Sequence, residues 1–317
     1  MRAAKRASKT AARTFEITLP ATSANLGPAF DAAALAFRLY LKIRAEAAAE
    51  FSIRATGRDS GICGRLENHL ILDTYRDVLH AEQKGIIPLK VRIGNELPIG
   101  KGCGSSAAAR LAGIALAVHY GNLRWDDARI VGEASRREHH PDNAAACWMG
   151  GIAVARMQSN AEAQIMKLTP KGKWPLLFAV PEQLLSTEKA RGVLPTQYSR
   201  QDAVANIQNA MLLLAAFVQG RHEILRTALE DRMHQPYRAQ LCPLLPALQE
   251  LAGMHGVLGT ALSGAGPSVL VFVDPKVSVD SVKRRVRRHL RSCNLGAELI
   301  ETSIDERGAR ERTACRR

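Results

Sequence analysis

The stretch Pro98-Ile-Gly-Lys-Gly-Cys-Gly-Ser-Ser-Ala107 places three glycines at every second position ahead of two serines. Residues 89–93 before it alternate apolar and polar side chains and predict a strand, and the alanine-rich residues 107–118 after it predict a helix. Such a junction offers backbone N–H groups and the positive end of a helix dipole to an anion. The spacing is neither a Walker loop nor Gly-x-Gly-x-x-Gly. A phosphate-binding loop is one interpretation, and a tight turn that lets the helix pack closely is the other.

The composition limits the fold and the compartment. The chain has 317 residues, 46% of them hydrophobic and 5% aromatic, which suits one large or two smaller domains with aliphatic cores. No apolar run approaches the roughly 18 residues of a membrane span. The longest run, residues 211–218, is predicted to be a buried helix face. The six cysteines show no Cys-x-x-Cys pair and no metal-type spacing with histidine, so free thiols and a cytoplasmic location are expected.

The formal net charge of +14 is concentrated at the two ends of the chain. Residues 1–13 hold five Lys and Arg and no acid, and residues 283–317 hold eleven Lys and Arg against five acids. The body between them is close to neutral, which argues against a nucleic-acid or membrane partner. Residues 1–13 are predicted to be a disordered basic tail, with a short transit peptide as the alternative.

Helices and strands mix without a regular β-α-β repeat, which predicts an α+β protein. A polar segment with Pro170, Gly172 and Pro175 marks a boundary, so the expected units are residues 14–165 and 166–305, flanked by basic tails 1–13 and 306–317. Helices are predicted at 68–81, 107–120, 125–137, 201–219, 223–232, 243–253 and 280–291. Strands are predicted at 15–19, 37–44, 51–55, 90–93, 152–156, 176–180, 257–262, 268–273 and 297–302.

Three further segments accompany the glycine loop: Pro20-Ala-Thr-Ser-Ala-Asn-Leu-Gly-Pro-Ala-Phe-Asp31, His140-Pro-Asp-Asn143 and Leu262-Ser-Gly-Ala-Gly-Pro-Ser268. In this order they resemble the motifs of the small-molecule (GHMP) kinase superfamily, which includes galactokinase, homoserine kinase, mevalonate kinase and phosphomevalonate kinase. Ser186-Thr-Glu-Lys-Ala-Arg191 and Asp231-x-x-His-Gln-Pro-Tyr-Arg238 are similar to the homoserine kinase branch. The resemblance runs from about residue 14 to about residue 305. It implies an ATP-binding N-terminal domain like ribosomal protein S5 domain 2 and a ferredoxin-like C-terminal domain.

The resemblance also implies an activity. The expected reaction is phosphorylation of the side-chain hydroxyl of L-homoserine by ATP with Mg²⁺, a step of threonine synthesis, in a possible homodimer. The alternative is another kinase of the superfamily acting on a small alcohol such as mevalonate. A different class, a nucleic-acid-binding protein that uses an S5-like domain, is disfavoured by the neutral body and the intact glycine loop.

The nucleotide site implied by the resemblance centres on the glycine loop. A second glycine loop is expected to approach the phosphates, with a tight turn as the alternative. Asn68 resembles an adenine contact, and equally a helix cap. The candidate nucleotide-binding residues are Asn68, Pro98, Gly100, Lys101, Gly102, Cys103, Gly104, Ser105, Ser106, Gly264 and Gly266.

Magnesium requires hard oxygen ligands, which a serine hydroxyl or a carboxylate supplies. Ser105 or Ser106 offers the hydroxyl, with Ser106 preferred. The family pattern places a glutamate ahead of the His-Pro-Asp-Asn segment, and this chain has two candidates. Glu138 is preferred to Glu133, although spacing alone does not decide between them.

For the acceptor, the resemblance assigns Arg191 and Arg238 to the carboxylate, which a guanidinium fork binds through both oxygens. Asp31 is assigned to the ammonium group. Asn25 is expected to orient the hydroxyl, and Thr187 to lie near the phosphoryl group. His140, Asp142 and Asn143 are expected to line the same pocket, with a structural Asx turn as the alternative.

No catalytic base is expected, because an amide, Asn143, stands where relatives carry an aspartate and an amide cannot accept the proton. The chain also departs from the family pattern at Ala29, residues 32–34, Lys101, Cys103 and His139. Lys101 is expected either to add a cation beside the phosphates or to point to water.

Overall fold

The computed structural model describes residues 14–158 and 161–316. The predicted tail at residues 1–13 lies outside the described residues. Two β-sheets with helices packed on them make up the fold, so the predicted α+β class is confirmed. Among the described helices, none combines the length and the apolar character required to cross a bilayer.

The first sheet has the strand order β11-β1-β2-β4-β3, and β5 adds to it by pairing with both β2 and β6. Among the strands in the described part of the chain, only the β3–β4 pair is parallel. The strands are β1 Thr14–Ala24, β2 Ala33–Ala47, β3 Ser52–Gly57, β4 Leu89–Asn95, β5 Ile152–Met157, β6 Ala163–Leu168 and β11 Thr313–Arg316. β6 was not predicted, and it extends the first sheet three residues beyond the expected boundary at 165.

Five helices accompany this sheet: α1 Ser60–Cys63, α2 Leu70–Ala81, α3 Ser105–Tyr120, α4 Asp127–Glu138 and α5 Asp142–Met149. Nine of the eleven positions of α3 between Ala107 and Ala117 are buried, because small alanine side chains let the helix pack closely on α2 and the sheet. α5 replaces the loop expected after His140.

The second sheet contains β7 Pro175–Val180, β8 Val257–Leu262, β9 Val269–Val273 and β10 Glu298–Ser303 in the antiparallel order β10-β7-β9-β8. Helices intervene between β7 and β8 and between β9 and β10, which gives the β-α-β-β-α-β chain order of a ferredoxin-like fold. Its helices are α6 Thr187–Gly192, α7 Arg200–Gln219, α8 Leu225–Ala228, α9 Gln235–Arg238, α10 Leu244–Gln249 and α11 Val279–Ser292. Short 3-10 turns occupy His222–Ile224, Ala239–Leu241 and Ala309–Arg312.

Strand β7 shows how the two units share their cores. Leu176 and Phe178 face the core that holds the first sheet, α2, α3 and α7, whereas Leu177 and Ala179 face α10 and α11. This alternation follows from the period of two along a strand. The second sheet is therefore covered on both faces.

Three expectations are corrected here. The helix predicted at 223–232 ends at Ala228, because Asp231 turns the chain by accepting the backbone amides of Met233, His234 and Gln235. The segment 306–317 was predicted to be a basic tail, but its described part, residues 306–316, folds back on the first sheet. Ala309 is buried, Arg312 donates to both carboxylate oxygens of Asp305, and β11 pairs with β1. Residues 211–218 were predicted to be a buried helix face, but only Leu213, Ala216 and Phe217 of that run are buried.

Candidate active site

A cavity of about 120 Å³ lies where the two glycine loops, the 25–31 loop, α5 and α6 meet. Sixteen of the residues predicted from the sequence line it, and Ala24, Leu185 and Ala265 complete the wall. The predicted lining residues are Asn25, Asp31, Gly100, Gly102, Gly104, Ser105, Ser106, Glu138, His140, Asp142, Asn143, Thr187, Arg191, Arg238, Gly264 and Gly266.

The glycine loop requires its glycines. Gly102 and Gly104 have φ angles of 78° and 68°, in the left-handed region that side chains disfavour. A Cβ on Gly104 would lie 1.9 Å from Thr22 Oγ1, and one on Gly102 would lie 2.3 Å from the Ser263 carbonyl oxygen. Gly104 is also the N-cap of α3 and has no side chain to cap it. The first amides of α3 therefore point toward the cavity wall without competition from a capping side chain.

Pro98 and Cys103, both predicted to bind the nucleotide, stabilise this loop from outside the cavity lining. The Cys103 thiol lies 3.1 Å from the Pro98 carbonyl oxygen, and Thr22 donates its amide to the Cys103 carbonyl. Full burial raises the pKa of Cys103 to about 12, so the thiol stays protonated and packs as a small apolar group. Neither Pro98 nor Cys103 lines the cavity.

Lys101 does neither of the two things expected of it. Its ammonium group donates to the carbonyl oxygens of Pro181, Glu182 and Gln183, at 3.0 Å for Pro181 and 2.7 Å for Gln183. Partial burial lowers the pKa of Lys101. This side chain ties the glycine loop to the segment after β7 and is absent from the cavity lining.

The second glycine loop is bonded to the first. Ser263 Oγ donates to the Gly102 carbonyl at 2.6 Å, and Asn25 Nδ2 donates to the Gly264 carbonyl at 2.9 Å. Asn25 Oδ1 accepts the amide of Asp31 at 2.9 Å. Asn25 therefore holds two loops in register beside the cavity.

The three residues predicted to bind the acceptor, Asp31, Arg191 and Arg238, place opposite charges in one cavity. Both terminal nitrogens of Arg191 donate hydrogen bonds to the carboxylate of Asp31, at 2.9 and 3.1 Å. Arg238 is 1% exposed and donates to the carbonyls of Ala190 and Gly264. Burial first, and the charge of Arg191 second, lower the pKa of Arg238, which remains a cation because guanidinium is so strongly basic.

His140 Nδ1 and Asp142 Oδ1 form a second pair, 2.7 Å apart, at the start of α5. Burial disfavours the charged imidazole, but the hydrogen bond and charge of Asp142 outweigh it, so the pKa of His140 is raised. Asp142 also accepts the amide of Asn143, and Asn143 Oδ1 accepts the Thr22 hydroxyl at 2.7 Å. Ligand atoms of Asp31, His140 and Asp142 lie within 4.8 Å of one another.

The two candidate glutamates occupy different places. Glu138, the last residue of α4, accepts the Ser106 hydroxyl at 2.6 Å and also the Arg110 side chain. Glu133 lies five residues earlier on α4, outside the cavity lining, and accepts from Arg136 and Arg137. Burial favours the neutral acid of Glu133, but those arginine bonds prevail and lower its pKa. The structure thus brings only Glu138 beside the glycine loop, and the Glu133 assignment is wrong in that respect.

Asn68 is the remaining predicted residue outside the cavity lining. It is exposed, with a φ of 52°, and the N-cap of α2 is His69, which makes no side-chain capping bond. The helix-cap alternative for Asn68 is therefore not what the structure shows.

Sequence reasoning passed over His234. Its Nε2 lies 2.8 Å from the Gly27 carbonyl, which only accepts, and its Nδ1 lies 3.2 Å from Arg238 Nη1, which only donates. His234 is therefore the neutral Nε2–H tautomer, and burial lowers its pKa. The Asp-x-x-His spacing was the available signal, because Asp231 caps this turn and orients the ring.

A second group of residues that was not predicted from the sequence lies outside the cavity lining. Glu250, His289 and Cys293 each place one ligand atom within 4.8 Å of the others. His289 lies on α11, and Cys293 is the C-cap of this helix, four residues later. No cysteine was expected to have metal-type spacing with a histidine. His289 Nε2 also lies 2.8 Å from the Ala247 carbonyl oxygen.

The family models for the N-terminal and C-terminal domains of GHMP kinases match residues 69–151 and 213–292. The chain is 42% identical to a homoserine kinase of Solibacter usitatus over 93% of this chain and 96% of that protein. The chain belongs to the homoserine kinase branch of the GHMP kinases. A homoserine kinase of Deinococcus radiodurans is 37% identical over 94% of this chain and 96% of its own length.

The fold agrees with that family. The crystal structure of a homoserine kinase from Cytophaga hutchinsonii superposes with a TM-score of 0.77, at 21% identity, over 96% of this chain and 97% of that one. At this identity the likeness bears on the fold alone. Membership of a kinase family implies ATP as the phosphate donor.

Proposed function

We propose that this protein transfers the γ-phosphate of ATP to the side-chain hydroxyl of L-homoserine. One observation carries the proposal: a backbone anion cradle lines the same cavity as one aspartate and two arginines, of which Arg238 is buried. The first binds a triphosphate, and the second matches an amino acid that carries both a carboxylate and an ammonium group.

The nucleotide phosphates are proposed to bind along the glycine loop. The N-terminus of a helix attracts anions through its amides and dipole, and α3 is long enough, at 16 residues, to present both. Gly264 and Gly266 close the cradle from the second domain. Asn68 is kept as an adenine contact, a role supported only by the resemblance.

Ser106 and Glu138 are the proposed magnesium ligands. Their oxygens lie 2.6 Å apart beside the loop, so a small shift of either side chain suffices for both to reach one ion. Both are hard oxygen donors, as Mg²⁺ requires. When bound, the ion would neutralise charge on the phosphate oxygens.

Arg191 and Arg238 are proposed to bind the acceptor carboxylate, and Asp31 its ammonium group. Arg238 has no carboxylate partner among the described residues, and its buried charge supports a ligand carboxylate there. His140 and Asp142 complete the wall. Thr187 begins α6 four residues before Arg191 and lines the cavity, which supports its assignment near the phosphoryl group.

Transfer is proposed to proceed without a dedicated base. The acceptor oxygen forms a bond to the γ-phosphorus as the bond to the bridging oxygen of ADP breaks, and the hydroxyl proton passes to a γ-phosphate oxygen. Each carboxylate in the lining already has a side-chain partner: Asp31 pairs with Arg191, Asp142 with the His140 imidazole and Glu138 with Arg110. A loose transition state releases the proton late, so a base is not required.

A coupled ADP-release assay tests the proposal with homoserine, mevalonate, galactose and no acceptor. We expect turnover with homoserine alone and a phosphate monoester in the product by phosphorus NMR. Mevalonate has a carboxylate but no ammonium group, so it leaves Asp31 without a ligand. Turnover with mevalonate in place of homoserine would overturn the proposal in favour of the alternative kinase.

Two further points stand as proposals. We keep residues 14–165 and 166–305 as the two domains, with the β6 strand supporting a slightly later boundary. We keep a reducing, cytoplasmic location, supported by free thiols at Cys63, Cys103, Cys147, Cys242 and Cys293.

A further inference from the structure

Three unlike side chains meet where the C-terminal end of α11 lies beside α10. His289 is in the last turn of α11, Cys293 is the C-cap of that helix, and Glu250 is the C-cap of α10. Residues four apart share one face of a helix, so His289 and Cys293 lie on the same side of α11. Glu250 Oε2 lies 3.4 Å and Cys293 Sγ lies 3.8 Å from one atom, His289 Nε2. We call Glu250, His289 and Cys293 the α11 triad.

A backbone carbonyl group also faces the imidazole of the α11 triad. The Ala247 carbonyl oxygen lies 2.8 Å from His289 Nε2. In a longer helix this oxygen would accept the amide of Leu251, but that amide donates to the Leu248 carbonyl, because α10 ends at Gln249. Three acceptors therefore surround one nitrogen: a carbonyl oxygen, a carboxylate oxygen and a sulfur. A single N–H is well aligned with only one acceptor, so one proton does not satisfy all three.

The spacing of these atoms fits a tetrahedral zinc ion. Zinc binds imidazole nitrogen at about 2.0–2.1 Å, carboxylate oxygen at about 2.0–2.2 Å and thiolate sulfur at about 2.3 Å. With tetrahedral angles, those bonds place nitrogen and oxygen about 3.4 Å apart, and nitrogen and sulfur about 3.6 Å apart. The distances in the α11 triad are 3.4 and 3.8 Å. The carboxylate and the sulfur lie within 4.8 Å of each other, and the exposed Glu250 side chain has room to rotate closer.

We propose that the α11 triad binds one Zn²⁺ ion, with the Ala247 carbonyl oxygen as the fourth ligand. The ion takes the place of the Nε2 proton among the three acceptors. His289 then carries its ring proton on Nδ1, and the Cys293 thiol releases its proton to water, because thiolate and neutral imidazole are the forms that bind a metal. Glu250 binds as the carboxylate anion, and no electron is transferred.

The chemistry of the ligands selects the ion. Thiolate and imidazole suit Zn²⁺, whereas Mg²⁺ prefers oxygen ligands, so the α11 triad differs in kind from the oxygen pair of Ser106 and Glu138. Charge also bears on binding, since α11 carries five arginines and one lysine. A thiolate and a carboxylate supply two negative charges, which balance the two positive charges of the ion. Binding therefore brings no net charge onto this basic helix.

The bound ion would connect two helices of the second unit. α10 and α11 contribute Leu244, Leu248, Val286 and Leu290 to one hydrophobic core, and the proposed ligands lie at the edge of that contact. Two ligands come from α10 and its C-cap, and two from α11 and its C-cap. An ion that binds only the folded chain stabilises it by mass action. The site does not depend on the proposed reaction, and its tests do not use activity.

Cobalt substitution tests the ligands. Protein dialysed against a chelator and kept reduced with a phosphine is titrated with Co²⁺, a spectroscopic substitute for zinc. We expect a thiolate-to-cobalt charge-transfer band in the near ultraviolet that saturates at one ion per chain and disappears when Zn²⁺ is added. Cys293→Ser should lose the band. Cys63→Ser is the matched control, because Cys63 is a free thiol outside the triad, and it should keep the band.

Two outcomes of the cobalt titration would overturn the proposal: no charge-transfer band in wild type, or a band that persists in Cys293→Ser. The cluster of Asp31, His140 and Asp142 does not interfere, because it offers only oxygen and nitrogen and cannot produce this band. Circular dichroism spectra equal to that of wild type establish that each variant is folded.

Urea unfolding tests whether the ion joins the helices. Zn²⁺ should raise the urea midpoint of wild type progressively once its concentration exceeds Kd, and a chelator should reverse the shift. Glu250→Gln keeps the size of an exposed side chain and should weaken Zn²⁺ binding at least about tenfold, since even groups behind the ligands affect affinity that much. No shift in wild type, an equal shift in Cys293→Ser, or wild-type affinity in Glu250→Gln would each contradict the proposed site.

Discussion

Arg191 donates two parallel hydrogen bonds, of 2.9 and 3.1 Å, to the carboxylate of Asp31 across a gap of 160 residues in the chain. The pair joins α6 of the second unit to the 25–31 loop of the first. Phe30 lies beneath both cations, with its ring 5.7 Å from the Arg191 guanidinium and 5.3 Å from that of Arg238. An aspartate between two arginines provides one negative and two positive contacts, which matches an α-amino acid better than a plain acid.

Asp31→Asn should weaken amino-acid binding more than nucleotide binding. Loss of a charged hydrogen-bond partner costs about 1.5–3 kcal/mol, so KM for homoserine should rise about tenfold or more while KM for ATP changes little. Arg191→Lys is the companion variant, because it keeps the charge but loses the fork. Steady-state kinetics on both substrates measure this. Equal increases in the two KM values would contradict the assignment of Asp31 to the acceptor.

Gly102→Ala should damage the glycine loop far more than Gly100→Ala. Both glycines have positive φ angles, 78° and 71°. At Gly102 a Cβ meets two backbone carbonyls of the second glycine loop, whereas at Gly100 it meets only the flexible tip of Leu184 at 3.5 Å. Gly100→Ala should cost only the backbone strain, about 1 kcal/mol, and Gly102→Ala more. Urea unfolding and ATP binding by calorimetry check both, and equal losses would refute the packing argument.

Glu138→Gln should raise the Mg²⁺ concentration needed for half-maximal rate by about tenfold or more, the size of effect seen when groups around a metal are altered. Glu133→Gln is the control. It should lower stability, because it weakens a buried carboxylate held by Arg136 and Arg137, but leave the Mg²⁺ dependence unchanged. Mg²⁺ titrations of the rate measure both. A shifted Mg²⁺ dependence in the Glu133 variant alone would reverse the assignment.

Local patterns predicted the strand–loop–helix unit well. Alternation predicted β4, and an alanine-rich run with few helix breakers predicted α3, because both signals depend only on neighbouring residues. The ordered motifs also identified most of the residues that line the cavity. Sequence spacing did not separate Glu138 from Glu133. They lie five residues apart on α4, on different faces of the helix, and only the position of α4 on α3 decides which one reaches Ser106.

Long-range contacts account for most of what was missed. Lys101 was expected either to add a cation beside the phosphates or to point to water, but it donates to three carbonyls about 80 residues away in the chain. α5 showed no periodicity because it is buried all round, from Asp142 to Trp148. The segment 306–317 was judged by its charge, whereas the fold of its described part, residues 306–316, depends on pairing with β1, near the other end of the chain.

Asn143→Ala should lower kcat without removing an ionisation from the pH–rate profile. The side chain accepts the Thr22 hydroxyl, so alanine leaves a buried donor unpaired, at a cost of about 1–3 kcal/mol in stability. Because an amide does not titrate in this range, the shape of the profile should be that of wild type. Disappearance of one limb in the variant would mean that Asn143 tunes a catalytic base and would overturn transfer without a base.

His234 should make stability depend on pH below about 6.5. The unfolded histidine binds a proton near its ordinary pKa of 6.5, but the native ring does not, since burial lowers the pKa of His234 and a second ring proton would face Arg238. The unfolded state therefore holds more protons, and the free energy of unfolding falls as pH decreases, by up to about 1.4 kcal/mol per pH unit.

His140 contributes with the opposite sign. Its raised pKa gives stability that is complete below pH 6.5 and is lost as pH rises through the folded value. The two histidines are separated by variants. His234→Gln keeps an amide that donates to Gly27 and an oxygen that accepts from Arg238, so its unfolding free energy should fall less steeply than that of wild type below pH 6.5. Urea unfolding between pH 5 and 8 measures the difference, and parallel curves for the two proteins would show that His234 takes up a proton in the native state, against the neutral tautomer inferred from its contacts.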